Sequence, residues 1–373
     1  MPIRSEWSLA REGVTGDTIG RLLKLTAFNP AITIPLLLAA KYTTKGQILA
    51  REHGKALKAL KQLLAIGVIS RVSSWLDDAV TNNWTNDAYV WSREVVVVTG
   101  GSDGIGKIVV KLLAERGIKV AVLDVQELTY EAPSSVHFFN CDLTSPTSIA
   151  SAAEQIRSTL GAPTILINNA GVARGKTILS TTASDLSLTF KVNTFAHYHL
   201  AQQFLPSMVE NNHGMIVTVA SLAGYITAPS MVDYASSKAA AISFHEGLAS
   251  ELVTHYKAPR VRTVLMCQGY TRTKLFEGFD SKVLHPETVA EEVVKAVLAG
   301  KSRHLVLPEA AWLLAPRLRS FPLWAQYGMR KRMDNLMRGW NGRQVLQPSE
   351  VEGEGEERKV DDSTVLVDGE SSS

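Results

Sequence analysis

Between Val95 and Leu307, seven short β-rich runs alternate with segments of helical periodicity. The runs are VVVVT (95–99), KVAVLD (119–124), VHFFNC (136–141), TILIN (164–168), GMIVTVA (214–220), VRTVLMC (261–267) and HLVL (304–307). Helical spacing fills most of the gaps, at 106–116, 147–160, 184–209, 234–256 and 286–299. Strands that alternate with helices predict a parallel sheet covered on both faces. Runs this continuously apolar fit strands buried on both sides. The predicted fold is α/β, a doubly wound parallel sheet of about seven strands, with its ligand crevice at the carboxyl ends of the strands.

The first run leads into TGGSDGIG, residues 99–106, and then into a helical segment. Glycine admits backbone conformations that a side chain forbids and lets a ligand approach the main chain. The helix that follows offers free N–H groups and a positive dipole end, which suit a pyrophosphate. Gly100, Ser102, Gly104 and Gly106 in this turn are therefore candidate cofactor-binding residues. Asp124 ends the second run, 18 residues after Gly106. An acid placed there accepts hydrogen bonds from the adenosine ribose and repels a 2′-phosphate. Asp103 adds negative charge inside the turn, and the two acids favour NAD over NADP. Asp142, in CDLT, is either an acceptor for the adenine amino group or a helix-start acid.

Ser221 follows the fifth run, Tyr234 comes 13 residues later in DYASSK, and Lys238 lies four residues beyond it. Residues at i and i+4 share one helix face. A free tyrosine titrates near pH ~10 and exchanges protons poorly at neutrality. A neighbouring ammonium favours the phenolate, and a positively charged nicotinamide acts in the same direction. Tyr234 is then a general acid–base, Lys238 a donor to the nicotinamide ribose, and Ser221 a hydrogen-bonding partner for the substrate oxygen.

TGGSDGIG, CDLT, INNAG (167–171), KVN (191–193), Ser221 and YASSK together resemble the short-chain dehydrogenase/reductase family over about residues 93–310. The resemblance implies a Rossmann-type domain, a nicotinamide cofactor (NAD or NADP) and a Ser–Tyr–Lys triad assisted by an asparagine. Position by position, it implies that Asn193 holds a backbone kink and a water linked to Lys238. It places Asn169 and Gly171 at the adenine ribose, and Ile105 at the pyrophosphate. Lys191 would lie beside the cofactor and Thr273 near the carboxamide. ILINNAGVARGK, TFKVNTFAHYHLAQQFLPSM and HGMIVTVASLAGY are similar to the branch of membrane-bound retinol dehydrogenases and lipid-droplet 17-beta-hydroxysteroid dehydrogenases. That branch implies a lipophilic substrate, a membrane or lipid-droplet surface as partner, and a catalytic part facing the cytosol at the endoplasmic reticulum or droplet. The family also implies homodimer pairing through helices such as 184–209 and 234–256. Gln268 stands where the family has proline, so the loop on the carboxamide side departs from the pattern.

The remaining chain divides into an extension (1–90), a basic-aromatic segment (311–345) and an acidic tail (346–373), around a catalytic domain at 91–310. In the extension, AITIPLLLAA (31–40) is too short to span a bilayer and is interrupted by Pro35. A basic amphipathic helix is expected at 47–69. Together these read as a monotopic membrane anchor, or alternatively as a helical layer on the catalytic domain. The segment 321–340 is either a second membrane-surface element or a C-terminal helix on the core, and the tail is expected to be disordered. The net charge of +3 gives no argument for nucleic acid. Two cysteines, Cys141 and Cys267, make no disulfide framework and point to a reducing compartment. No Cys/His cluster has metal-ligand spacing, so no metal is expected. The leading reading is an NAD(P)-dependent oxidoreductase that interconverts an alcohol and a carbonyl. Its rivals are a soluble reductase of a secondary metabolite and a non-catalytic cofactor-binding protein that recruits partners at a membrane.

Overall fold

Every residue of VVVVT is buried, and its side chains divide between the two faces of a sheet. Val96 and Val98 enter one apolar cluster, while Val97 enters the other. This alternation is the period-2 geometry of a strand that has cover on both sides. The computed structural model describes residues 3–5, 10–278, 283–334, 340–345 and 364–365. Two compact units divide the chain, Trp7–Trp84 and Thr85–Ser373 with Met1–Glu6.

The first unit is helical: α1 Gly16–Leu25, α2 Pro30–Tyr42, α3 Thr44–Glu52 and α4 Gly54–Thr81. Pro35 was expected to interrupt the apolar run, but α2 continues through it. Pro30 occupies the first turn, where an N–H has no helical partner, and the Asn29 side chain caps the start. The helix expected over 47–69 is divided at His53, whose backbone leaves helical geometry. Leu57, Leu60 and Leu64 are partly buried, and Arg51, Lys55, Lys58 and Lys61 are exposed. Large apolar side chains remain exposed along these helices, among them Leu22, Leu36, Ile69, Val72 and Trp75. Among the described residues no single helix is long and apolar enough to cross a membrane. The bent pair α1–α2, with 47° between its members, reaches the length and composition together.

The second unit carries a seven-stranded parallel sheet in the order β3-β2-β1-β4-β5-β6-β7. Its strands are β1 Val95–Thr99, β2 Lys119–Asp124, β3 Val136–Asn140, β4 Ile165–Asn168, β5 Gly214–Val219, β6 Val261–Gln268 and β7 Arg303–Leu307. The helices α5 Gly104–Ala114 and α10 Pro286–Leu298 cover one face. The other is covered by α6 Pro146–Leu160, α8 Ala196–Glu210 and α9 Val232–Thr254. The strand order reverses beside β1, with β2 on one side and β4 on the other, and a ligand crevice opens at such a point. The extension was expected to reach residue 90, yet 85–90 belong with the sheet. Arg262 donates to Thr85 O at 2.8 Å and Tyr89 donates to Gly214 O at 2.7 Å.

The helix expected over 184–209 is interrupted. After α7, Ala183–Phe190, the residues Lys191–Phe195 form a π-turn before α8 begins. In the C-terminal part, α11 spans Leu323–Arg332, with Ala315 and Leu318 buried and Trp324 and Tyr327 exposed. The tail 346–373 lies outside the described residues except Thr364–Val365, which pairs in parallel with Gln344–Val345.

Candidate active site

The glycine turn closes tightly on β1. Gly100 and Gly104 take φ values of 64° and 57°, and a Cβ on Gly106 would collide with Gly100 O. Asp103 caps α5 by accepting from Gly104 N at 2.9 Å. The INNAG segment braces the turn from β4. Asn169 Nδ2 donates to Thr99 O at 3.0 Å and to Gly100 O at 3.1 Å, while Thr99 Oγ1 accepts from the N–H groups of Asn169 and Ala170. From β2, Asp124 accepts from Ser102 N at 3.0 Å and from Gln126 N at 3.1 Å. Burial pushes the Asp124 carboxyl up, against the pull of these N–H donors.

A cleft of about 340 Å³ runs from this turn to the end of β5. Gly100, Gly104, Ile105, Asp124, Asn169, Gly171, Ser221, Tyr234, Lys238 and Thr273 all line it. Tyr234 and Lys238 emerge from the same face of α9, with Lys238 Nζ 5.9 Å from the centre of the Tyr234 ring. Lys238 Nζ donates to Val219 O at 2.9 Å, which anchors the amine to the end of β5. Ser221 Oγ donates to Gln268 O at 3.3 Å and accepts from Ala223 N at 3.1 Å. Asn193 sits on the π-turn and fastens it to both neighbours. Its Oδ1 accepts from Val172 N at 2.8 Å, and its Nδ2 donates to Val172 O at 2.9 Å and Ser237 Oγ at 3.0 Å. A Cβ at Gly171 would stand 3.3 Å from Lys238 Nζ and 3.4 Å from Asn193 Oδ1, so the glycine leaves these groups their space.

Burial, rather than charge, dominates the titration here. It pushes the Tyr234 phenol above the usual tyrosine range, with the Ser221 side chain pulling the other way. The expected downward shift by Lys238 is thus overturned in the protein alone, because Tyr234 is only 4% exposed and an uncharged phenol suits that setting. Burial also pushes Lys238 down to about 8.

These parts fit a dinucleotide. The turn leaves backbone open at the start of α5, an acid stands at the end of β2, and an amine lies at the far end. The family model for short chain dehydrogenases matches residues 94–283, half of the chain. The chain belongs to the short-chain dehydrogenase family. It is an NAD(P)-dependent oxidoreductase acting on CH–OH groups. Dehydrogenase RED2 of Cochliobolus heterostrophus is 45% identical over 207 residues, 55% of this chain and 78% of the relative. Human estradiol 17-beta-dehydrogenase 11 is 32% identical over 240 residues, 61% of this chain and 79% of the relative. A short-chain dehydrogenase from Burkholderia cenocepacia, solved with NADP, superposes with a TM-score of 0.56 at 26% identity. That superposition covers 65% of this chain and 98% of the other.

For this dehydrogenase, four expected cofactor residues, Ser102, Gly106, Asp142 and Lys191, are not among those that line the cleft. Lys191 is exposed on the π-turn, and Val192 lines the cleft in its place. The Asp142 carboxylate accepts from Thr144 N at 2.7 Å at the turn into α6, which fits the second of its two readings, a helix-start acid. Ser102 is fully buried, and its Oγ donates to Gln126 O at 2.7 Å, joining the two cofactor loops. The charge argument from Asp103 is also offset, since Lys274 and Arg343 pair with it at 3.1 and 3.3 Å. Met333 and Arg343 line the cleft without having been expected there, beside Lys274 and Phe276 of the loop after β6. The basic-aromatic composition of 317–343 was the one signal in the sequence, and it gave no direction.

Proposed function

We propose that this dehydrogenase interconverts a secondary or allylic alcohol and its carbonyl on a lipophilic substrate, with Tyr234 exchanging the proton. The observation that carries this reading is the setting of Tyr234. Its ring packs against Phe276 at 5.6 Å in an apolar cluster with Ala173, Ala228 and Met231, and Lys238 Nζ stands beside it. The bound nicotinamide cofactor supplies or accepts hydride. Tyr234 Oη holds the proton that the substrate oxygen gains or loses, and Ser221 Oγ donates to that oxygen as charge develops. Lys238 supplies a positive charge beside the phenol, and Asn193 keeps the π-turn in place. Asp124 favours NAD at the adenosine end.

The exposed apolar residues of α1–α4 support attachment to a membrane or lipid-droplet surface, at the endoplasmic reticulum or a droplet, with the catalytic unit in the cytosol. One relative, estradiol 17-beta-dehydrogenase 11, is named for a steroid, which supports a substrate of that polarity. The test is a panel of steroid, retinoid and long-chain alcohols and ketones, followed by absorbance of the reduced cofactor with NAD and NADP in parallel. Turnover of at least one greasy alcohol is expected. Cofactor binding with no turnover across the panel overturns the reading.

A further inference from the structure

The C-terminal segment brings a cation to the cofactor cleft. Residues 340–343 are laid against the loop after β6 by backbone-directed contacts. Trp340 Nε1 donates to Leu275 O at 3.0 Å, Asn341 N to Glu277 O at 3.1 Å and Arg343 N to Lys274 O at 2.7 Å. Gly342 lies so close to Leu275 O that a Cβ would collide with it. A segment fixed this closely delivers the side chain of Arg343 in one place. Its NH2 group donates to Gln126 Oε1 at 2.6 Å and stands 3.3 Å from Asp103 Oδ2. The side chain is 18% exposed, so it is a wall of the cleft and not a solvated surface arginine.

This corner is the adenosine end. Gln126 lies two residues past Asp124, and the Asp124 carboxylate accepts from Gln126 N. Asp103 pairs here with two cations, Lys274 and Arg343, and the second acid, Asp124, lines the same cleft. Removing Arg343 leaves the corner net negative against an anionic ligand. The planar fork of an arginine also matches a phosphate group better than an ammonium does.

We propose that Arg343 is a cofactor-binding residue, delivered to the adenosine-ribose corner by the C-terminal segment, and that it lets the cleft take a 2′-phosphate despite Asp124. This rests on the nicotinamide-dinucleotide reading of the cleft and adds the determinant of cofactor choice.

The test uses the full chain and equilibrium binding of NADH and NADPH, read by fluorescence of the reduced nicotinamide. Arg343→Ala is expected to weaken NADPH about tenfold, as for loss of one charge-assisted hydrogen bond. NADH should weaken by less. Arg343→Lys is expected to recover part of the NADPH affinity, because it keeps the charge and loses the fork. Thermal unfolding without cofactor checks that each variant is folded, and Gln126→Ala, which removes the orienting acceptor, should give a smaller loss in the same direction. Equal weakening of both cofactors, or no change in either, overturns the assignment. If the wild-type chain binds neither cofactor, the dinucleotide reading falls and this inference falls with it.

Discussion

Lys238 Nζ lies 5.9 Å from the centre of the Tyr234 ring and is held there by its hydrogen bond to Val219 O. The amine is therefore fixed by the sheet and not by the phenol. Both groups are almost fully buried, and each is pushed toward its neutral form. A cleft that keeps a phenol protonated and a lysine titrating near 8 makes the state of this pair depend on what charge a ligand brings.

Tyr234→Phe removes the proton-exchanging atom and leaves the ring packed on Phe276. Turnover should fall by about a hundredfold or more, the usual range for a positioned acid–base. NADH affinity should stay within a few-fold of wild type. Steady-state rates and a fluorescence titration on the same preparation check both halves.

Lys238 also predicts a pH dependence of stability. Burial lowers its value from 10.5 to about 8, so between those values the folded state binds fewer protons than the unfolded state. Stability gains with rising pH across that window, and below about 8 the penalty for burying the charge is fully present. Urea unfolding of wild type and Lys238→Met should show wild type gaining about 2 kcal/mol on the variant between pH ~7 and pH ~9.5. A difference that stays constant with pH would mean that Lys238 does not titrate there.

Asn193→Ala strips the π-turn of its three side-chain hydrogen bonds to Val172 and Ser237. Buried partners left unpaired make this costly, about 3 kcal/mol in unfolding free energy. Turnover should fall further than stability alone explains, because the turn neighbours Gly171 and Lys238. Chemical denaturation and rates measured well below the unfolding temperature separate the two effects.

Gly106→Ala places a methyl group against Gly100 O and forces the turn open. Cofactor affinity should drop more than tenfold, with a loss of stability of about 1–3 kcal/mol, typical of overpacking. Calorimetric titration with NADH reads the first and thermal unfolding the second.

Asp124→Ser removes the carboxylate that Ser102 N and Gln126 N orient. The ratio of NADPH to NADH affinity should move toward NADPH by about tenfold, since one full negative charge leaves the ribose corner. Parallel titrations with the two cofactors decide it.

Much of the catalytic unit is written in local pattern. The strand limits of β1 and β2, the glycine turn and the Tyr234–Lys238 pair follow from periodicity, from the needs of a tight turn and from a four-residue helical step. Each depends on residues close in sequence, so composition and spacing determine it. Three features depend instead on what the fold brings together. The π-turn exposes Lys191 and turns Val192 to the cleft. The phenol of Tyr234 rises in pKa because the surrounding packing excludes water. Arg343 reaches Gln126 across 217 residues of chain. Burial and long-range proximity are properties of the packed chain, created when distant segments exclude solvent together, and no local pattern encodes them.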